Sequence, residues 1–213
     1  MIQETLMSFV HHFEPGHDPT ATPLLLLHGT GGTEHDLVPL GRELAPGAAL
    51  LSPRGKVSEN GMPRFFRRFA EGRFDEEDVI FRANELADFI AASRATHRVA
   101  APIAIGFSNG ANIAAALLLL RPETLSGAIL LRAMVPLSNP PKADLTAKPI
   151  LMLSGRQDPI VPADNAARLA AIFIADGAKV DHRVLPAGHN LSQADLAIAK
   201  DWLATHTISL ARS

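Results

Sequence analysis

Cysteine is absent from the 213-residue chain. That absence excludes disulfides, thiolate nucleophiles and cysteine-based zinc sites, and it fits a reducing compartment. The opening stretch, MIQETLMSFVHHFEPG, has neither the basic n-region nor the apolar core of a secretory signal, so a cytoplasmic location is expected. Long apolar runs are lacking as well. The longest, residues 113–120, falls far short of the roughly 20 residues that a membrane span needs. Neither sign of charge dominates: 20 Lys and Arg face 22 Asp and Glu, a formal net charge of −2. Even the Arg67-Arg68 pair is followed by Glu71, Asp75, Glu76, Glu77 and Asp78. The basic footprint of a nucleic-acid binder is missing, and no internal repeat or low-complexity tract interrupts the chain.

What remains is the composition of an ordinary soluble globular protein, 47% apolar and 20% charged. The length suits one domain over residues 1–213 with a single sizeable core. Apolar runs without alternation at 23–28 and 48–52 read as strands buried on both faces of a parallel sheet. Further strands are expected at 102–107, 125–131, 149–154 and 180–185, with an edge strand within 7–14. Helices are expected at 36–44, 76–95, 109–120, 163–176 and 191–205. In the second of these, Val79, Ile80, Leu86, Ala87, Phe89 and Ile90 carry the helical spacing. Residues 54–74 hold Met62, Phe65, Phe66, Phe69 and Phe74 among Gly, Pro and Arg, and read as irregular. Strands alternating with helices imply right-handed βαβ units: an α/β fold, its mostly parallel central sheet covered by helices on both faces.

The sharpest local feature is Gly106-Phe107-Ser108-Asn109-Gly110-Ala111, a G-x-S-x-G pattern. An apolar strand runs into it and an Ala/Leu-rich helix runs out, the setting that lifts a serine hydroxyl above the sheet edge on a strained turn. The flanking glycines let the strand and helix backbones pass closely. A serine hydroxyl is a weak nucleophile at neutral pH and needs a base. Of nine histidines, His189 stands in a loop after the last expected strand, where open α/β sheets place their ligands. His182 reads as a half-exposed strand residue, and His28 as a structural histidine beside the site. The orienting acid should lie in another loop at the same edge, and Asp158 in Gly155-Arg156-Gln157-Asp158-Pro159 supplies it. Asp164 competes, but as a helix-cap residue it has another role. The order Ser108, Asp158, His189 is that of α/β-hydrolases. Two backbone N–H groups would hold the oxyanion: Asn109, directly after the nucleophile, and Thr30 in the loop His28-Gly29-Thr30-Gly31-Gly32. That loop has no P-loop lysine and no G-x-G-x-x-G, so a nucleotide site has little support.

These motifs, with Gly155-Arg156-Gln157-Asp158-Pro159-Ile160-Val161-Pro162 and Gly188-His189, resemble the phospholipase/carboxylesterase family of small α/β-hydrolases. Ser52-Pro53-Arg54-Gly55 followed by Arg64-Phe65-Phe66-Arg67-Arg68 is similar to a bacterial branch that includes hydrolases linked to hydroquinone and catechol resistance. The resemblance implies Ser108, Asp158 and His189 as the triad and Thr30 and Asn109 as oxyanion donors. It also implies hydrolysis of a small-molecule carboxylic ester with no cofactor and no metal, often by a homodimer. Many relatives carry a bulky apolar residue where this chain has Thr30. Residues 132–148 are too few and too proline-broken for a helical cap, so an open site is expected. Met62, Phe66, Met134 and Val161 are the pocket candidates. Glu34 and His35 follow the oxyanion loop and are candidates to meet a polar substrate group, whereas Asp36 reads as a helix cap. Short- to medium-chain or aryl esters are the expected substrates. The alternatives are a thioesterase or lysophospholipase with the same triad, and a non-catalytic binding module on the same fold.

Overall fold

Four consecutive leucines show why the fold is layered. Leu24–Leu27 form strand β2, and all four side chains are shut off from solvent. Leu25 and Leu27 pack into one apolar cluster, and Leu24 and Leu26 into another. Side chains alternate across a strand, so an unbroken apolar run is what a sheet covered on both faces demands. The same division recurs in Ile103–Phe107 (β8), where Ala104 joins the first cluster and Ile103 and Ile105 the second. In Pro149–Gly155 (β10), Ile150 and Met152 oppose Leu151 and Leu153.

The computed structural model describes residues 8–18 and 20–210, with side chains to residue 206. Its seven-stranded sheet runs β1 (His11–Glu14), β3 (Leu50–Pro53), β2, β8, β9 (Gly127–Leu131), β10, β11 (Lys179–Leu185). β1 pairs antiparallel with β3, and all other pairings in this sheet are parallel. Helices α2 (Glu76–His97), α3 (Asn109–Leu120) and α4 (Ala163–Ala175) cover one face through Val79, Phe89, Ile113, Leu117, Leu169 and Phe173. Helices α1 (Val38–Leu44) and α5 (Gln193–Leu210) cover the other through Val38, Leu44, Trp202 and Leu203. The expected α/β architecture is the observed one. No helix among the described residues is long and apolar enough to cross a membrane. Residues 132–148 hold neither helix nor strand, so this segment forms no helical cap.

The expected edge strand is present at His11–Glu14, and Met7 lies outside the described residues. Two local expectations need correction. Helix α1 begins two residues later than expected, so Asp36 is not its cap; its carboxylate accepts the Thr33 hydroxyl at 2.8 Å instead. Residues 54–74 are not irregular: they form two antiparallel hairpins, β4 (Val57–Glu59) with β5 (Met62–Arg64) and β6 (Arg68–Ala70) with β7 (Arg73–Phe74). Asn60 and Gly61 close the first hairpin with φ of 52° and 81°, the signature of a type I′ turn.

The turn between β8 and α3 is built on close backbone approach. A Cβ at Gly110 would lie 2.0 Å from the Leu27 carbonyl oxygen, and one at Gly106 would lie 2.5 Å from the Gly110 carbonyl oxygen. Both contacts are with backbone that cannot swing aside. Gly110→Ala is therefore expected to cost about 3 kcal/mol or more, or to prevent folding. Urea unfolding measures it, and an unshifted midpoint would show that α3 does not sit this close to β2.

Candidate active site

Ser108 links β8 to α3 with φ of 52° and ψ of −113°, a conformation that L-residues avoid. Such backbone costs on the order of 1–3 kcal/mol. Two bonds hold it: the Ser108 N–H donates to the Leu131 carbonyl at 2.9 Å, and the Ser108 carbonyl accepts the Asn112 N–H at 3.0 Å. The hydroxyl is thereby raised at the C-terminal edge of the sheet.

At that edge the structure brings together three residues expected from sequence. Ser108 Oγ lies 3.0 Å from His189 Nε2, and His189 Nδ1 lies 2.9 Å from Asp158 Oδ2. The Asp158 side chain is wholly buried. Its Oδ1 accepts the Ile160 and Val161 amides at 2.8 and 3.0 Å, which turns Oδ2 toward the imidazole. A carboxylate only accepts, so the neutral ring carries its proton on Nδ1 and presents a lone pair at Nε2 to the serine hydroxyl. The loops of His189 and Asp158 are joined along their backbones: Arg156 N–H donates to Leu185 and Gln157 N–H to Ala187, at 2.8 and 3.0 Å. Asp164 lies in the first turn of α4, where its Oδ1 accepts the Asn165 amide at 2.9 Å. The cap position of that helix is Pro162, so Asp164 is neither its cap nor the partner of His189.

Beside Ser108 lies a small cavity lined by Thr30, Asn109, Phe74, Met134, Ile160 and Val161, with Arg64, Arg68, Glu71, Asn112 and Arg132. Met134 and Val161 thus stand where the sequence suggested. The other two pocket candidates do not. Phe66 is wholly buried in the core, edge-on to Phe74 with ring centroids 5.1 Å apart. Met62 is 41% exposed and packs over Gly31, outside the cavity lining. Glu34 is also turned away: Arg54 grips it through Nε and Nη2 at 2.5 and 2.8 Å, which holds its carboxyl below the ordinary carboxylate range. His35, also suggested as a substrate contact, lies 3.3 Å from Glu34 and does not line the cavity.

The sequence reading missed the groups that fix the loops. The first hairpin pins both candidate oxyanion segments. Arg64 Nη1 donates to Thr30 Oγ1 at 2.6 Å, Gly31 N–H donates to the Pro63 carbonyl at 2.9 Å, and Phe65 N–H donates to Asn109 Oδ1 at 2.7 Å. Asn60-Gly61 was the available signal for this hairpin. Arg132 was missed because arginine is usually exposed, yet it is wholly buried and lies directly after a buried strand at the ligand-bearing edge. Among the described residues no cluster of three or more His, Asp or Glu could hold a metal ion.

The parallel sheet, the strand–turn–helix at Ser108 and the loop cluster at one sheet edge define an α/β-hydrolase fold. The chain belongs to the phospholipase/carboxylesterase family, whose sequence profile matches residues 11–207. It is 43% identical over 194 residues to MhqD of Bacillus subtilis (strain 168), described as a hydrolase, covering 90% of this chain and 96% of that one. Among solved structures it resembles the Bacillus cereus carboxylesterase, with a TM-score of 0.91 and 42% identity over 93% of this chain and 94% of the other. A carboxylesterase from Mesorhizobium loti aligns with a TM-score of 0.87 and 32% identity, over 92% and 94% of the two chains.

His28 serves the site as a buried prop, as its position suggested. Its Nε2 accepts the Gly55 N–H at 3.0 Å, so Nδ1 carries the proton and donates to the Gly29 carbonyl at 2.7 Å. Burial pushes its pKa below the ordinary imidazole value and outweighs the opposing pull of that carbonyl, Asp36 and Glu34. The unfolded chain then takes up a proton here before the folded one does. The resulting stability is complete above about pH 6.5 and is lost as pH falls through the lower folded value. Urea midpoints of the native protein should therefore fall more steeply between about pH 7.5 and 5.5 than those of His28→Gln. Parallel pH profiles would refute the neutral buried assignment.

Proposed function

We propose that the chain is a serine carboxylesterase that hydrolyses short- to medium-chain or aryl esters through an acyl-enzyme on Ser108. The observation that carries this reading is the Ser108–His189–Asp158 chain of contacts, at 3.0 and 2.9 Å, with the serine on a strained turn. His189 takes the hydroxyl proton as Ser108 Oγ attacks the ester carbonyl, then protonates the leaving alcohol. Water, activated by the same base, releases the acid. Asp158 keeps the ring in its working tautomer and stabilises the imidazolium. Every step uses groups of this chain.

The oxyanion falls to Asn109 and Thr30. Asn109 opens α3, so its N–H has no partner within its own helix. In the facing loop the Gly31 and Gly32 amides already donate to Pro63 and Gly29, which supports Thr30 as the donor there. The cavity beside Ser108 is small and walled by Phe74, Met134, Ile160 and Val161, which favours the short end of the acyl range. A serine already within reach of its base argues against a non-catalytic binding module.

Ser108→Ala is expected to lower kcat on p-nitrophenyl butyrate at least ~10³-fold while the unfolding midpoint stays close to native. Undiminished turnover would remove the claim. In an acyl series, kcat/KM for the butyrate should exceed that for the dodecanoate by about tenfold or more. A preference for dodecanoate would sink the short-acyl assignment, and a thioester series run in parallel reports which bond is preferred.

A further inference from the structure

Arg132 follows β9 with φ of 59°, a left-handed conformation rarely given to arginine. Its guanidinium is wholly buried, and all five of its N–H groups are matched. Nη1 and Nη2 form a fork onto Asp195 Oδ1 and Oδ2 at 2.7 and 2.9 Å. The remaining three donate to backbone carbonyls: Nε to Gly188 at 2.9 Å, Nη2 to Asn190 at 3.1 Å and Nη1 to Leu153 at 3.1 Å. Gly188 and Asn190 are the two neighbours of His189. One side chain therefore grips the loop on both sides of the base. The backbone around Arg132 reaches the nucleophile as well, since the Leu131 carbonyl accepts the Ser108 N–H at 2.9 Å.

We infer that Arg132 is a positioning residue for the proposed reaction: it sets the height of His189 so that Nε2 meets Ser108. This rests on the esterase reading above. Stability alone does not account for the arrangement, because buried ion pairs can often be replaced by apolar side chains of similar volume with no loss of stability. What an apolar pair cannot do is hold two carbonyls that flank a catalytic base. Asp195 supplies the anchor. The Ser192 N–H and Oγ bind its Oδ2 at 2.8 and 2.6 Å, so α5 fixes the carboxylate and the carboxylate fixes the guanidinium. A displacement of about 1 Å in a catalytic group can cost ~10²-fold in rate.

Arg132→Lys tests the inference. Lysine keeps the charge opposite Asp195 but has a single nitrogen, which cannot span Asp195 and both carbonyls. With p-nitrophenyl butyrate the variant should lose about 10- to 100-fold in kcat, with KM within about threefold of native. The rate of Ser108 labelling by a fluorophosphonate should fall in the same proportion, with the circular dichroism spectrum of the native fold retained. If the lysine variant does not fold, Arg132→Met combined with Asp195→Leu removes both charges together and is read the same way. A folded variant whose kcat stays within about twofold of native, or whose whole loss lies in KM, overturns the positioning role. Failure of both variants to fold would make the pair a requirement of the fold and also overturn it. If the native chain neither turns over ester nor labels at Ser108, the esterase reading falls and takes this one with it. If the native chain does both and the variants match it, only the role of Arg132 falls.

Discussion

Helix α3 begins so close to the end of β2 that Leu27 and Gly110 leave no room for a side chain between them. That approach forces the sharp passage from β8 into α3, and the passage gives Ser108 its strained, positive-φ conformation. The strain is on the order of 1–3 kcal/mol. Burial of α3 offsets it: Ile113, Leu117 and Leu118 are wholly buried, and each such side chain stabilises by roughly 1.5–3 kcal/mol. Even discounted for a compact unfolded chain, three of them outweigh the turn. The site exists because a central helix that is apolar all round from Ile113 onward can be pulled into the sheet this tightly.

The loops around the serine have almost no regular structure, and one device recurs in fixing them. A side-chain carbonyl or carboxylate catches loop amides, from a helix for Asn109, Asn112 and Asn165 and from within its own loop for Asp158. Asn109 holds Phe65, Asn112 holds Met134, Asn165 holds Val135, and Asp158 holds Ile160 and Val161, with contacts from 2.7 to 3.0 Å. Asn109 and Asn112 stand in the first turn of α3, one residue and four residues after Ser108. The turn that raises the nucleophile therefore also sets the walls of its cavity. Each bond satisfies a backbone donor that would otherwise be costly to bury, and does so without a cap domain.

The strands were legible because burial on both faces writes itself as an unbroken apolar run, as in Leu24–Leu27. Ser108, Asp158 and His189 were legible because each follows a strand at the same edge, and chain order then limits the choice. The hairpins were harder, since strands of two or three residues carry no periodicity. Only Asn60-Gly61 marked one of them, and its meaning lies in backbone dihedrals rather than side-chain pattern. Phe66 could not be separated from a pocket residue by composition: an aromatic ring suits a core and a pocket equally, and the chain's turn after β5 decides. Arg132 was hidden by the strong prior that arginine is exposed. Its burial makes sense only beside Asp195, 63 residues away, and no local window contains both.

β11 explains why such a long-range contact is needed. It is an edge strand, paired only with β10, and its residues are half-buried to exposed. A loop that leaves an edge strand has sheet on one side only, so its backbone is held less firmly than that of a loop between interior strands. The proposed base stands in such a loop. On the inner side the amides of Arg156 and Gln157 tie it to the Asp158 loop. Arg132 reaches it from β9, two strands further in, past the Leu153 carbonyl of β10. The position of His189 is thus referred to the sheet interior, where Ser108 is also fixed through the Leu131 carbonyl. Nucleophile and base come from strands three apart in the sheet, yet both are measured from the end of β9.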